Sequence, residues 1–146
     1  LDPLVRDEVI DSVLTLAEER GSTVLVSSHE VSEIEHMIDR VGFLDGGRRL
    51  VDEPLESLRV RFREVRLALP AASPPPARTP HSWYGLDITG RSVRFVETQF
   101  GAETAEPAIR AIFPAASEIE FHPMGLREIF VALAKETRAT HRREAE

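Results

Sequence analysis

The residues best placed to do chemistry in this 146-residue chain are Ser27-Ser28-His29-Glu30. They follow Thr23-Val24-Leu25-Val26-Ser27, a short run with three β-branched residues. That run reads as a buried parallel strand, because a helical pattern ends only two residues before it. A histidine just beyond the C-terminal end of such a strand, where the next helix starts, lies where open α/β sheets bind ligands. Ser27-x-x-Glu30 has the spacing of a capping box, which would fix the helix start and aim its first amides at the same crevice. An anion there would meet an imidazole, free backbone N–H groups and the positive end of a helix. The spacing equally suits a histidine that only closes the strand-to-helix turn, and the residues alone leave both readings open.

Other constellations carry less. His29-Glu30-x-x-Glu33-x-x-His36 imitates a zinc-protease motif, but that chemistry needs two histidines four apart on one helix face. Here the fourth position is Glu33, so the stretch reads as a solvated acidic helix face. No metal site is expected. Asp2, Asp39 and Asp52 are uninformative singly, since paired-carboxylate hydrolysis needs two groups held across a cleft. Trp83-Tyr84 reads as a hairpin anchor. Stacking on single-stranded nucleic acid wants aromatics among basic residues, whereas the formal net charge is −7, so no nucleic-acid partner is expected. The absence of cysteine removes disulfides, thiol catalysis and Cys-ligated zinc.

The elements that must position these residues follow from periodicity. From Pro3 to about Arg20, apolar residues recur at Val5, Val9, Ile10, Val13, Leu14 and Ala17, a helical spacing, with Asp2 as N-cap and Gly21 as terminator. A second helix is expected over about 30–38. Val41 to Leu44 and Arg49 to Val51 flank Asp45-Gly46-Gly47 as a hairpin. A short helix over about 54–62 leads to alternating Val65, Leu67 and Leu69. Residues 70–80 hold five prolines and form an extended connector. Then come a hairpin around Thr89-Gly90, a helix over about 105–113, a strand over 118–121 and an amphipathic helix ending near Arg138. Its stripe of Leu126, Ile129, Phe130 and Leu133 suits a core, or else a dimer face.

Charge divides along the same line. Residues 1–63 carry 8 arginines against 14 acids, and residues 64–138 carry 8 basic against 9 acidic residues. The domains expected are an α/β part at 1–63, a small α+β domain at 64–138 containing the 70–80 connector, and a charged tail at 139–146. The second domain has the order βαββαβ of a ferredoxin-like unit with its first helix replaced by the connector.

At Leu1-Asp2-Pro3, a helix, the Thr-Val-Leu-Val-Ser-Ser-His strand, an acidic helix and Ile38-Asp39-Arg40-Val41, the chain resembles the ATP-binding subunit of ABC transporters. It is most similar to the drug- and antibiotic-export type that pairs with a separate ABC-2 permease. The match covers residues 1 to about 60 in order and spacing, and the C-terminal Leu126 to Leu133 stretch resembles, more loosely, an accessory domain appended to such subunits. The resemblance implies an α/β fold, the C-terminal part of a P-loop ABC ATPase domain followed by an accessory domain. It implies that Leu1-Asp2 is the D-loop, reaching across the ATP sandwich, and that His29 is the switch histidine, bonding the γ-phosphate and helping to place the attacking water. ATP and Mg²⁺ are the implied cofactors of the whole subunit. Homodimerisation through the ATPase domains and a membrane permease are the implied partners, with a cytoplasmic location on the inner face of the cell membrane.

The departures are as informative. The chain holds no G-x-x-x-x-G-K-[ST] loop, Q-loop, L-S-G-G-Q signature or Walker B strand, all of which precede the D-loop in that family. It also opens on Leu1 rather than on methionine, so a fragment beginning at the D-loop is expected. Phosphoryl transfer needs the P-loop Lys and Mg²⁺, so this polypeptide alone is expected to bind ATP weakly or not at all and not to hydrolyse it. The alternative function is a non-catalytic regulatory or dimerisation module in which residues 64–138 do the work.

Overall fold

A computed structural model describes residues 3–28 and 30–144 of the chain. They belong to two compact units, Leu1–Glu30 and Val31–Glu146. The first unit is helix α1 (Pro3–Arg20) and the segment after it. Pro3 suits the first helical turn, where its missing N–H costs nothing. Gly21, at φ +60°, ends the helix. Its N–H bonds Glu18 O at 3.2 Å and the Ser22 N–H bonds Ala17 O at 2.8 Å, the paired bonds of a Schellman motif. Val5, Val9, Val13 and Leu16 on this helix are exposed.

The segment that follows corrects an expectation. Residues 23–27 form no strand, and Leu25 is 95% exposed. A strand exists only through its ladder, and both sheets among the described residues are wholly antiparallel, with no member taken from this run. β-branched composition without a neighbouring strand is not enough. The chain is therefore mixed α and β with antiparallel sheets, and no parallel pair occurs among its described residues.

The second unit begins with a single helical turn, α2 (Val31–Ile34), shorter than the helix expected to reach Ile38. Met37 N–H turns back to Ile34 O, which lets Ile38 pack inward and the chain enter β1. β1 (Arg40–Asp45) pairs with β2 (Arg48–Pro54) across Gly46-Gly47. Both glycines have positive φ, +54° and +74°, as the tight right-twisting hairpin turn demands. α3 (Leu55–Arg61) follows directly, its first N–H bonding Asp39 O at 2.9 Å.

The remaining strands are β3 (Arg63–Ala68), β4 (Trp83–Thr89), β5 (Ser92–Glu97) and β6 (Ser117–Pro123), with α4 (Ala105–Ile112) before β6 and α5 (Leu126–Glu144) last. Their spatial order is β4-β5-β3-β6, every neighbour antiparallel. β5 and β6 thus run parallel with β3 between them, joined through α4 as a split β-α-β unit. Alternation places Val65, Leu67, Val93 and Phe95 in the core, while Arg66 and Arg94 face out. Residues 70–80 lie outside any helix or strand. Their flanks are pinned by Leu69 N–H to Arg91 O at 2.8 Å and Trp83 N–H to Pro80 O at 3.0 Å.

Two apolar cores hold the unit. One lies under the four-stranded sheet around Val65, Phe95, Trp83 and Ile109. The other gathers Val41, Phe43, Leu58 and Phe62 with Leu126 and Ile129 of α5. The apolar stripe of α5 is therefore core, not a free dimer face. Leu126 and Ile129 are buried, Leu133 nearly so, and Phe130 stacks on Phe43 with ring centres 5.0 Å apart. α5 also continues past Arg138, where the apolar repeat stops, because residues 139–144 contain neither Gly nor Pro.

Candidate functional site

Asp2 and His29, the two residues expected at a nucleotide, lie outside the described residues. The residues flanking His29 are described. Ser28 Oγ accepts the Glu30 N–H at 3.0 Å and approaches Glu30 O at 3.3 Å. The serine that bonds the backbone here is thus Ser28, two residues before its partner, and not Ser27 in the capping-box register. Among the described residues, no group of three or more His, Asp or Glu side chains gathers as metal ligands.

The segment just after α2 holds a residue that periodicity does not single out. Glu35 belongs to the acidic stretch expected to be a solvated helix face, yet it lies in the turn after α2 and is three-quarters buried. Its Oε1 accepts Arg59 Nη2 at 3.1 Å and the Leu126 N–H at 3.1 Å, so one oxygen ties α3 and the start of α5. Leu126 is at the N-terminal end of α5, where unpaired amides and the helix dipole favour a carboxylate. Glu128 adds to this by accepting the Gly125 N–H at 2.8 Å. Hydrogen bonds to Glu35 first, then Glu56, hold the Arg59 guanidinium more firmly charged than usual.

Of the carboxylates weighed singly, Asp52 has a defined role. It accepts from Arg40 Nε at 2.7 Å across the β1–β2 hairpin and from Arg49 Nη1 at 2.7 Å on its own strand. The Arg40 hydrogen bond, with the charges of both arginines, holds its carboxyl below the usual aspartate range. Trp83 anchors the second hairpin. Its Nε1–H donates to the buried Glu97 Oε2 at 2.8 Å, and its ring stacks 4.0 Å from Phe95. Glu97 Oε1 takes the Gln99 N–H at 2.8 Å, so a buried carboxylate is satisfied at both oxygens.

The same unit opens a groove of about 740 Å³ between α5 and the β4–β5 hairpin, with Pro76 and Pro80 of the connector on its rim. Trp83 and Tyr84 line it from the sheet, and Arg127, Val131 and Lys135 from the helix.

The chain is similar over part of its length to the bacitracin transport ATP-binding protein BcrA of Bacillus licheniformis, 39% identical over 64 residues, 44% of this chain and 21% of that one. It is 38% identical over 55 residues to the thiamine import ATP-binding protein ThiQ of Jannaschia sp., 38% of this chain and 24% of that one. With the aliphatic sulfonates import ATP-binding protein SsuB of Escherichia coli it shares 41% identity over 69 residues, 47% of this chain and 27% of that one. All three are ATP-binding subunits of ABC transporters. The chain thus spans about a quarter of the length of the curated relatives it matches. No family model and no solved structure matches the chain. No helix among the described residues is long and apolar enough to cross a membrane.

Proposed function

We propose that the chain is the C-terminal part of an ABC-type ATPase subunit that couples ATP binding and hydrolysis to transport through a separate membrane permease. The observation that carries this reading is the partial similarity to three ABC ATP-binding proteins, whose matched lengths of 55 to 69 residues agree with the extent of the D-loop and switch-histidine resemblance. In this reading residues 1–63 close the ATPase domain, and residues 64–138 form an appended α+β domain of ferredoxin-like strand order, followed by the tail at 139–146. Asp2 reaches across the dimer interface, and His29 bonds the γ-phosphate. A neutral or protonated imidazole there can donate to a phosphate oxygen, an interaction worth most where charge accumulates in the transition state. Mg²⁺ would balance phosphate charge in the whole subunit, held by residues outside this chain. The subunit would work as a homodimer on the cytoplasmic face of the permease.

Export of the ABC-2 type is the finer part of the proposal. The relatives include a bacitracin transport protein and also import proteins, so direction rests on the accessory-domain resemblance of Leu126 to Leu133. The test is ATP turnover by the whole subunit with its permease, with and without His29→Ala. The expected loss is roughly 100-fold, the scale of removing one preorganised contact to the transition state. Unchanged turnover would return His29 to the role of closing a strand-to-helix turn.

A further inference from the structure

The groove of the Val31–Glu146 unit has the size and lining of a ligand site. Its volume of about 740 Å³ falls in the range of roughly 300–1,000 Å³ that accommodates small organic molecules. Three local features make the space. Ala132 and Ala139 put small side chains on the α5 wall. Gly85, at φ +61°, sits where the β4–β5 register shifts between Tyr84 and Asp87, a bulge that re-aims the edge strand. A side chain on Gly85 would meet nothing within 4 Å, so the bulge opens onto free space. The proline-rich connector then supplies a stiff rim on the third side.

The lining carries equal numbers of cations and carboxylates, Arg94, Arg127 and Lys135 against Glu64, Glu128 and Glu136, but they are not equally engaged. Of its three carboxylates, Glu64 is paired with Arg66 and, at 3.9 Å, with Arg94, and Glu128 is occupied by the Gly125 N–H. Only Glu136 lacks a donor among the described residues. Against it stand Arg127 and Lys135, two turns apart on one stripe of α5 with Val131 between them, neither with an ion-pair partner among the described residues. His81 adds an ionisable ring on the connector side. Two unengaged cations share the lining with half-buried Tyr84, exposed Val131 and the nearly buried Trp83 and Met124, an amphipathic mix in a chain whose net charge is −7.

We propose that this groove binds an amphipathic organic anion, an apolar or aromatic body bearing one carboxylate or sulfonate. Its apolar body lies along Tyr84 and Val131, and its charged end meets Arg127 and Lys135. The site draws only on the Val31–Glu146 unit, so it is independent of the nucleotide role given to Asp2 and His29.

Trp83 is the only tryptophan of the chain and lines the groove, so energy transfer from it reports bound probe, and the substitutions below assign that probe to the groove. The probes are 1-anilinonaphthalene-8-sulfonate and its uncharged relative N-phenyl-1-naphthylamine, each titrated into the full chain. The sulfonate is expected to give saturable transfer. Replacing both cations, Arg127→Gln with Lys135→Gln, is expected to raise its Kd by about tenfold or more, the scale of losing a charge-assisted contact. The uncharged probe should bind the two proteins within about twofold of each other. Both side chains are exposed, so near-ultraviolet circular dichroism should show the variant folded. Absence of saturable transfer, or a Kd for the sulfonate that the substitutions leave unchanged, overturns the proposal. So does an equal loss for both probes, which would assign the effect to packing.

Discussion

Asp52 shows what a single exposed hairpin can gain from charge. Two arginines reach its carboxylate, Arg40 from β1 and Arg49 from β2, and the charge that both ion pairs need is lost when the group is protonated. Its pKa lies below the usual aspartate range in the folded chain, so the folded state favours the ionised form. The sign follows directly. The stabilisation is fully present above the unfolded-state pKa and is lost as pH falls through the lower folded-state value. The expected outcome is a stability gap between the native chain and Asp52→Asn that is open at about pH 6 and narrows steadily toward about pH 2. Urea titrations across that interval measure it. A gap that stays constant would mean that the arginines do not act through charge on Asp52. Salt should shrink the gap as well, since these side chains are solvent-screened.

At the scale of elements, one oxygen atom adds a polar tie to the apolar packing that joins α2, α3 and α5. Glu35 closes an orphan amide at the N-terminal end of α5 and holds Arg59 of α3, across 91 and 24 residues of sequence respectively. Glu35→Ala should therefore destabilise the unit by about 1–2 kcal/mol, the range for losing a helix N-terminal acceptor. Glu35→Gln keeps an acceptor oxygen but not the charge, and should cost less. Hydrogen exchange localises the effect, with faster exchange expected at the Leu126 amide in the alanine variant. Equal exchange in all three proteins would show that the oxygen is dispensable to α5.

These elements also show where sequence reading succeeds. The β4–β5 hairpin, α4 and the start of α5 were legible because each signal is local: alternation, a Thr-Gly turn, an i, i+3, i+4 stripe. Residues 23–27 carried an equally strong local signal and form no strand, because pairing is a property of neighbours that the run itself does not contain. Glu35 was not legible for the related reason that its partners lie far away in sequence. Nor could periodicity choose between core and dimer face for Leu126 and Ile129, whereas their burial against Phe43 and Phe62 does. The candidate site was legible only as a motif. Ser28 bonding Glu30 is its one described feature, displaced by a residue from the expected capping register.

At the scale of the whole molecule, the two compact units are unequal in what they bury. Both apolar cores are made from residues 31 onward, and the first unit has no cluster of its own among the described residues. Its helix exposes Val5, Val9, Val13 and Leu16. Cooperative stability comes from burial, at about 25 cal/mol for each Å² of apolar surface removed from water. The stability of the chain should therefore reside in Val31–Glu146. The expected outcome is that a polypeptide of residues 31–146 melts within a few degrees of the full chain, with the same near-ultraviolet signature of Trp83 packed on Phe95. Thermal unfolding of both, followed at Trp83 and in the far ultraviolet, makes the comparison. In the full chain the far-ultraviolet signal should show an additional non-cooperative loss of helix from α1, because an 18-residue helix that leaves Val5, Val9, Val13 and Leu16 exposed gains little from burial and is only marginally stable in water. A drop of more than about 8 °C on shortening, which corresponds to more than roughly 1–2 kcal/mol for a domain of this size, would mean that residues 1–30 contribute to the cooperative fold.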